Sequence, residues 1–253
     1  MAKSASNHWN KLPIGEVIGK VALELQYTPY QSNTLERSAD REICSANLRC
    51  LDCVTFFEST LAIARLIKKG KSAPNALLPE IKFLRYRDGV LNDYSSRLHY
   101  TTDWLENNEK KHVIKILRDL PGEVAASKTI NFMSTHPDSY KQLAAHPDLI
   151  PKIKAREDDI NTHPLKFVPL GKIGAVESML KTGDIVAIAT DHDGLDFAHT
   201  GLIVRGSDDV AHFMDASSRK AVMQVILEKE PLAQALGHAG GAVGAVFARP
   251  LEP

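Results

Sequence analysis

The chain has 253 residues, 43% hydrophobic and 25% charged, with 31 basic side chains balancing 31 acidic ones. That composition suits a globular domain able to bury a sizeable core, and the zero formal charge argues against a broad nucleic-acid surface. No run approaches the ~18 apolar residues needed to cross a bilayer, so no integral membrane segment is expected.

The N-terminus, "MAKSASNHWNKLP", lacks the apolar core of a signal peptide. It reads either as a cytoplasmic start or as the cut end of an exported protein. Ile14, Val17, Ile18, Val21, Ala22 and Leu25 then recur at helical spacing, which predicts an amphipathic helix over 13–26. Pro29 in "YTPYQSNT" breaks it, and a polar loop runs on to about Leu51.

All three cysteines, Cys44, Cys50 and Cys53, lie in or just past the end of that loop. Three in ten residues make a poor disulfide framework, and a structural zinc site would need a second ligand cluster. A thioredoxin-type pair at Cys50 and Cys53 should follow a strand, whereas polar coil stands before it. Phe56, Phe57, Thr60, Leu61, Ala64 and Ile67 form the apolar stripe of the next predicted helix, with Glu58 and Arg65 placed toward solvent. Asp52 is a suitable N-cap whose carboxylate can take the N–H of residue 54 or 55. Cys53 then falls in the first helical turn, where the helix dipole stabilises a thiolate. The bland alternative is a small buried residue at a helix start.

Residues 75–150 read as short helices and loops around "RYRDGVLNDYSSRLHYTTDW". From about 165 the pattern turns to strands: "KFVPL" (166–170), "DIVAIAT" (184–190), "HTGLIVR" (199–205), "VAHFMDA" (210–216), "AVMQVIL" (221–227) and "AVGAVFARP" (242–250). The connections are mostly too short for parallel crossovers, so the sheet should be mainly antiparallel and the fold class α+β.

Of the ten histidines, His199 stands out because it opens a strand. On the following strand Phe213 and Asp215 share one face, and His212 and Met214 share the other. His199 beside Asp215 or His212 would supply a general base and its orienter for a cysteine nucleophile; a strand-end pair at a turn is the plain alternative. "TDHDGLDFAH" gathers Asp191, His192, Asp193, Asp196 and His199, a set that suggests a metal-dependent hydrolase, although the spacing fits no metal signature.

"DCVTFFES", "RYRDG", "SRLHYTTDW", "KTGDIVAI", "GLDFAHTGLIV" and "DASSRKAV" occur in that order. Together they resemble the N-acetylmuramoyl-L-alanine amidase-like family, a branch of the NlpC-type cell-wall cysteine peptidases with a papain-like core. The resemblance runs from about residue 15 to 250. It implies a nucleophile helix packed on the sheet, with one domain over 1–253, a catalytic NlpC-type unit over about 15–250 and a helical insertion over about 75–160. It also implies Cys53 as nucleophile and His199 as base. Relatives often carry a histidine where "MDASS" has Asp215, so Asp215 takes the third place here, with His212 as competitor. Tyr30, in the "PY" element, would donate to the oxyanion with the Cys53 backbone N–H, or pack under the helix.

The implied substrate is a peptidoglycan or muropeptide amide, either N-acetylmuramoyl-L-alanine or a stem-peptide bond, with no cofactor, metal or nucleic acid. Arg85, Arg87 and Arg97 would pair with stem carboxylates. Tyr100 and Trp104 would stack on sugar or peptide, and Asp196 would join them at the substrate; local ion pairs and core packing are the alternatives. The expected location is periplasmic or secreted. Rival functions are a non-catalytic wall-binding module, a Cys50–Cys53 redox module, the metal-dependent hydrolase, and a toxin-type effector acting on a competitor's wall.

Overall fold

The computed structural model describes residues 2–253. Its helices are α1 (Ala2–Ser6), α2 (Ile14–Glu24), α3 (Cys53–Lys68), α4 (Leu77–Arg85), α5 (Thr101–Lys110), α6 (Phe132–Thr135), α7 (Lys141–Ala145), α8 (Ile150–Thr162), α9 (Ile173–Val176) and α10 (Leu232–Leu236). The strands are β1 (Ile114–Ile116), β2 (Val124–Ala125), β3 (Lys166–Pro169), β4 (Ile185–Thr190), β5 (Phe197–Arg205), β6 (Ala211–Ser217), β7 (Gln224–Leu227) and β8 (Ala242–Pro250).

The strands form one sheet in the order β2-β3-β8-β4-β5-β6-β7, with β1 added against β8. Every strand pairing is antiparallel. The fold is therefore α+β with a mainly antiparallel sheet. All six expected strands are present, and β1 and β2 add short pairings that periodicity over two or three residues does not reveal.

Helices α2 and α3 cover one face of the sheet. Val17, Ile18, Phe56, Phe57 and Leu61 pack there with Ala187, Leu202, Val204, Met214 and Ala216. The other face buries Ile188, Ile203, Phe213 and Phe247 with Leu232 and Leu236 of α10. Strand alternation divides the side chains as the sequence suggests, with Met214 in one core and Phe213 in the other.

Residues 75–160 do not stand apart from the sheet as a purely helical block. Ile81, Leu84, Trp104, Leu105 and Ile114 belong to the α3 core, and β1 hydrogen-bonds β8. Tyr94, Tyr100, Ile130, Met133, Leu143, Ile153 and Ile160 make a separate small core beyond α5.

Helix α3 departs from its predicted orientation on one side. Glu58 and Arg65, placed toward solvent by the apolar stripe, are 0% and 5% exposed. Helices α4 and α5 cover that side and bring counter-charges. Arg85 Nε bonds Glu58 at 2.7 Å, Trp104 Nε1 donates to Glu58 at 2.9 Å, and Arg65 Nε bonds Glu80 at 2.7 Å. Burial of these charges is tolerated because each is paired.

Candidate active site

Asp52 fixes the start of α3. Its carboxylate accepts the Thr55 N–H at 2.8 Å, and the Thr55 hydroxyl oxygen accepts the Asp52 N–H at 2.9 Å, a reciprocal capping box. The other carboxylate oxygen accepts from the Thr34 hydroxyl at 2.6 Å. Cys53 is the first residue inside the helix, where unpaired N–H groups and the dipole favour an anion.

A strap leads Tyr30 to the same place. Tyr27 and Tyr30 donate their N–H groups to the Val225 and Met223 carbonyls at 2.8 and 2.9 Å. Leu51 donates to Pro29 and Gln31 to Leu51, each at 3.0 Å. The Tyr30 phenol lies near Ser218; its pKa is raised by burial first, then by the nearby charges of Cys53 and Asp52.

Opposite Cys53, β5 carries His199. The β4–β5 register shifts between Ile188 and Ala189, so a bulge at Ala198 sits immediately before the histidine. Strands β5 and β6 are in register at Leu202–Met214 and Ile203–Phe213, which puts His199 and Asp215 on the same face. His199 Nε2 donates to Asp215 Oδ2 at 2.7 Å. Nδ1 is then the nitrogen left for Cys53, which borders the same cleft and whose charge acts on the imidazole. His212 is elsewhere, with Nδ1 3.1 Å from the Glu228 carbonyl. Gly201 completes the packing: a Cβ there would stand 2.5 Å from both the Met214 carbonyl oxygen and the Phe213 ring.

Burial opposes a charged imidazole at His199. The Cys53 charge, the hydrogen bond to Asp215 and the Asp215 charge outweigh it, and the pKa rises to about 10. Half-buried His99 behaves oppositely: desolvation and then the Arg97 charge hold its pKa well below the ordinary value. Its Nε2 lies 2.7 Å from the Tyr94 carbonyl. Of these two histidines on the Cys53 cleft, His199 is the one built to carry a proton.

That cleft has a volume of about 190 Å³ and is walled by Val54, His99, Tyr100, Met133, Tyr140 and Phe197. Asp196 lies between it and a second, roughly 550 Å³ cleft bordered by Lys128, Asn161, Leu165 and Phe167. Asp196 accepts the Thr102 N–H and its neighbour Phe197 N–H, each at 2.8 Å. Burial raises its pKa against those hydrogen bonds.

The structure thus brings Cys53, Tyr30, His199 and Asp215 together, with Tyr100 and Asp196 on the adjoining wall. It corrects three expected substrate contacts. Arg85 is 2% exposed, with Nε on Glu58 and Nη1 on the Ser45 carbonyl. Arg97 is 5% exposed between Glu36 and Glu42. Trp104 is 2% exposed, edge-on to Phe57. These side chains hold helices and loops together and have no face left for a ligand. Arg87 is committed to Asp103 through a two-pronged ion pair.

Cys50 has its own partners: its thiol donates to Gln31 Oε1 at 2.8 Å and accepts from Asn47 Nδ2 at 2.9 Å. All three cysteines are free thiols. In the acidic 191–199 segment, Asp191, His192 and Asp193 are exposed while Asp196 is half-buried, and among the described residues no three His, Cys, Asp or Glu side chains are grouped to hold a metal. Sequence reasoning missed Ser218, which lies near Tyr30, and the cleft residues His99, Met133 and Tyr140. Only Ser218 had a signal, its place in "DASS" three residues after Asp215.

The model of the AmiA-like, N-acetylmuramoyl-L-alanine amidase-like family matches residues 20–240. A solved N-acetylmuramoyl-L-alanine amidase from Bacteroides uniformis is similar at 30% identity, with 94% of this chain and 99% of that one covered and a TM-score of 0.84. A Bacteroides fragilis protein described as a xylanase is similar at 29% identity, covering 91% and 99%, with a TM-score of 0.81. A Legionella pneumophila protein shares the fold at 16% identity and a TM-score of 0.71, covering 97% and 91%. No curated protein matches the chain.

Proposed function

The chain belongs to the N-acetylmuramoyl-L-alanine amidase-like family, and we propose that it is a cysteine hydrolase cleaving an amide bond of bacterial peptidoglycan. The observation that carries the reading is the convergence of Cys53, at a helix N-terminus, on the His199–Asp215 couple. A cysteine-first helix against an antiparallel sheet that supplies a histidine and then an aspartate supports reading the fold as an NlpC-type, papain-like one. On this reading residues 15–250 work as one catalytic unit.

The Cys53 thiolate attacks the amide carbonyl carbon, and the carbonyl electrons move onto oxygen. The Cys53 backbone N–H and the Tyr30 hydroxyl lie where they can donate to that oxyanion. As the intermediate collapses, the C–N bond breaks and protonated His199 gives its proton to the leaving amine, producing a Cys53 thioester. Neutral His199 then takes a proton from water, whose oxygen attacks the thioester and releases the acid. Asp215 keeps Nε2 protonated, so that Nδ1 faces the reaction throughout.

The bond the family name suggests is N-acetylmuramoyl-L-alanine, with stem-peptide bonds as the alternative, and on this reading the protein would meet its substrate in the periplasm or outside the cell. Mass spectrometry of purified peptidoglycan fragments after incubation with the protein and with Cys53→Ala tests this. New free stem peptide or shortened stems, absent with the variant, support the reading and name the bond. Equal products from both proteins, or release of sugar from xylan instead, overturn it.

A further inference from the structure

Behind the His199–Asp215 couple, away from Cys53, lies a cavity of about 100 Å³. Its border includes Asp215, Ser217, Arg219, Glu228 and His238 as well as His199. Asp215 is 4% exposed; Oδ2 accepts from His199, while buried Oδ1 has no protein hydrogen-bond partner. Asp215 therefore faces His199 with one oxygen and leaves the other to its electrostatic surroundings.

Those surroundings hold a second carboxylate. Glu228 is 7% exposed and follows β7, with its N–H on the Phe213 carbonyl at 2.8 Å and its own carbonyl 3.1 Å from His212 Nδ1. It is locked in place by backbone and is ion-paired to Arg219. Arg219 Nε also donates at 3.2 Å to Oγ of Ser217, the last residue of β6, next to Ser218, which lies near Tyr30. The other ionisable groups facing the couple are Cys53 and Tyr30 on the thiol side and His238 behind it; His238 is itself paired with Glu230. Burial raises the Glu228 pKa, Arg219 opposes this, and the Asp215 charge adds to the rise, so the two carboxylates sense one another.

We propose that Arg219 and Glu228 are a positioning pair that sets the charge behind the couple. Paired, they cancel, and Asp215 is the uncompensated anion that holds the His199 imidazolium. Without Arg219, Glu228 becomes a second anion under His199. Without Glu228, Arg219 becomes a cation opposing it. The inference rests on the catalytic role given to the couple under Proposed function.

The test is an NMR titration of labelled histidines in the full chain, with the His199 signal identified by its loss in His199→Gln. Glu228→Gln should move the His199 midpoint down, and Arg219→Gln should move it up, each by about half to one pH unit. The double variant should return it toward wild type. The alkaline limb of turnover should move in the same directions, with kcat affected more than KM. Loss of packing alone would lower stability without opposite shifts, so unchanged midpoints, or shifts of one sign in both single variants, overturn the proposal. If Arg219→Gln does not fold, Glu228→Gln against the double variant still decides. Wild-type protein that hydrolyses no peptidoglycan but shows the opposed shifts loses the proposed function and keeps this pair.

Discussion

His199 Nε2 stands 2.7 Å from Asp215 Oδ2, a bond between neighbouring strands whose register aligns Ile203 with Phe213. The bond uses one ring nitrogen and leaves the other for Cys53. Asp215→Ala should therefore lower turnover on peptidoglycan fragments by roughly a hundredfold or more, because the imidazole loses both its tautomer and its orientation. Asp215→Asn should retain more activity than Asp215→Ala, since its side-chain oxygen can still accept from Nε2. His212→Ala should stay near wild type. A His212 variant more damaging than Asp215→Ala would reverse the assignment.

The two cysteines of the C-x-x-C stretch should separate cleanly. Cys53→Ser should abolish detectable turnover, whereas the Cys50→Ser hydroxyl can still donate to Gln31 and accept from Asn47, so that variant should reduce it only mildly. Equal loss in both variants would point to a paired-thiol reaction instead. Steady-state assays under reducing conditions, with folding checked by circular dichroism, make the comparison.

The pH dependence of stability follows from His199. Its folded pKa is raised to about 10, above the ordinary unfolded value near 6.5. A raised pKa means that the folded state holds the proton more tightly. The stabilisation is fully present below about pH 6.5 and is lost as pH rises through about 10. The melting-temperature gap between wild type and His199→Gln should accordingly be widest near pH 6 and shrink toward pH 10. A gap that widens with pH would contradict the charged couple.

Much of this site is local enough to be read from residue order. Asp52 announces a helix start through its own capping chemistry, and Thr55 completes it. Alternation along β6 separates Asp215 from His212 without knowledge of the partner strand. The arginines are different. Whether Arg85 or Arg97 meets a ligand depends on what covers it, and the covering residues, Glu58, Glu36 and Glu42, lie 27 to 61 positions away. No periodicity encodes such distant pairings, and the same distance hid the burial of Glu58. The small core of Tyr100, Met133 and Ile160 was invisible for a related reason: it is assembled from short helices with no sustained apolar stripe.

The buried Glu58–Arg85 pair gives a prediction opposite in kind to a substrate contact. Glu58 is fully buried and accepts from Arg85 Nε and Trp104 Nε1, tying α3 to α4 and α5. Glu58→Ala leaves the Arg85 charge uncompensated in the interior, which should cost about 3–5 kcal/mol in chemical denaturation. Replacing both residues by leucine removes the stranded charge as well as the pair and should recover much of that loss, although Trp104 still lacks its acceptor. Arg97→Ala should likewise destabilise the fold by exposing Glu36 and Glu42 to each other. In the fraction that remains folded, affinity for muropeptide should be unchanged. A folded Arg97→Ala protein with normal stability but weakened muropeptide binding would restore the arginine to the substrate groove.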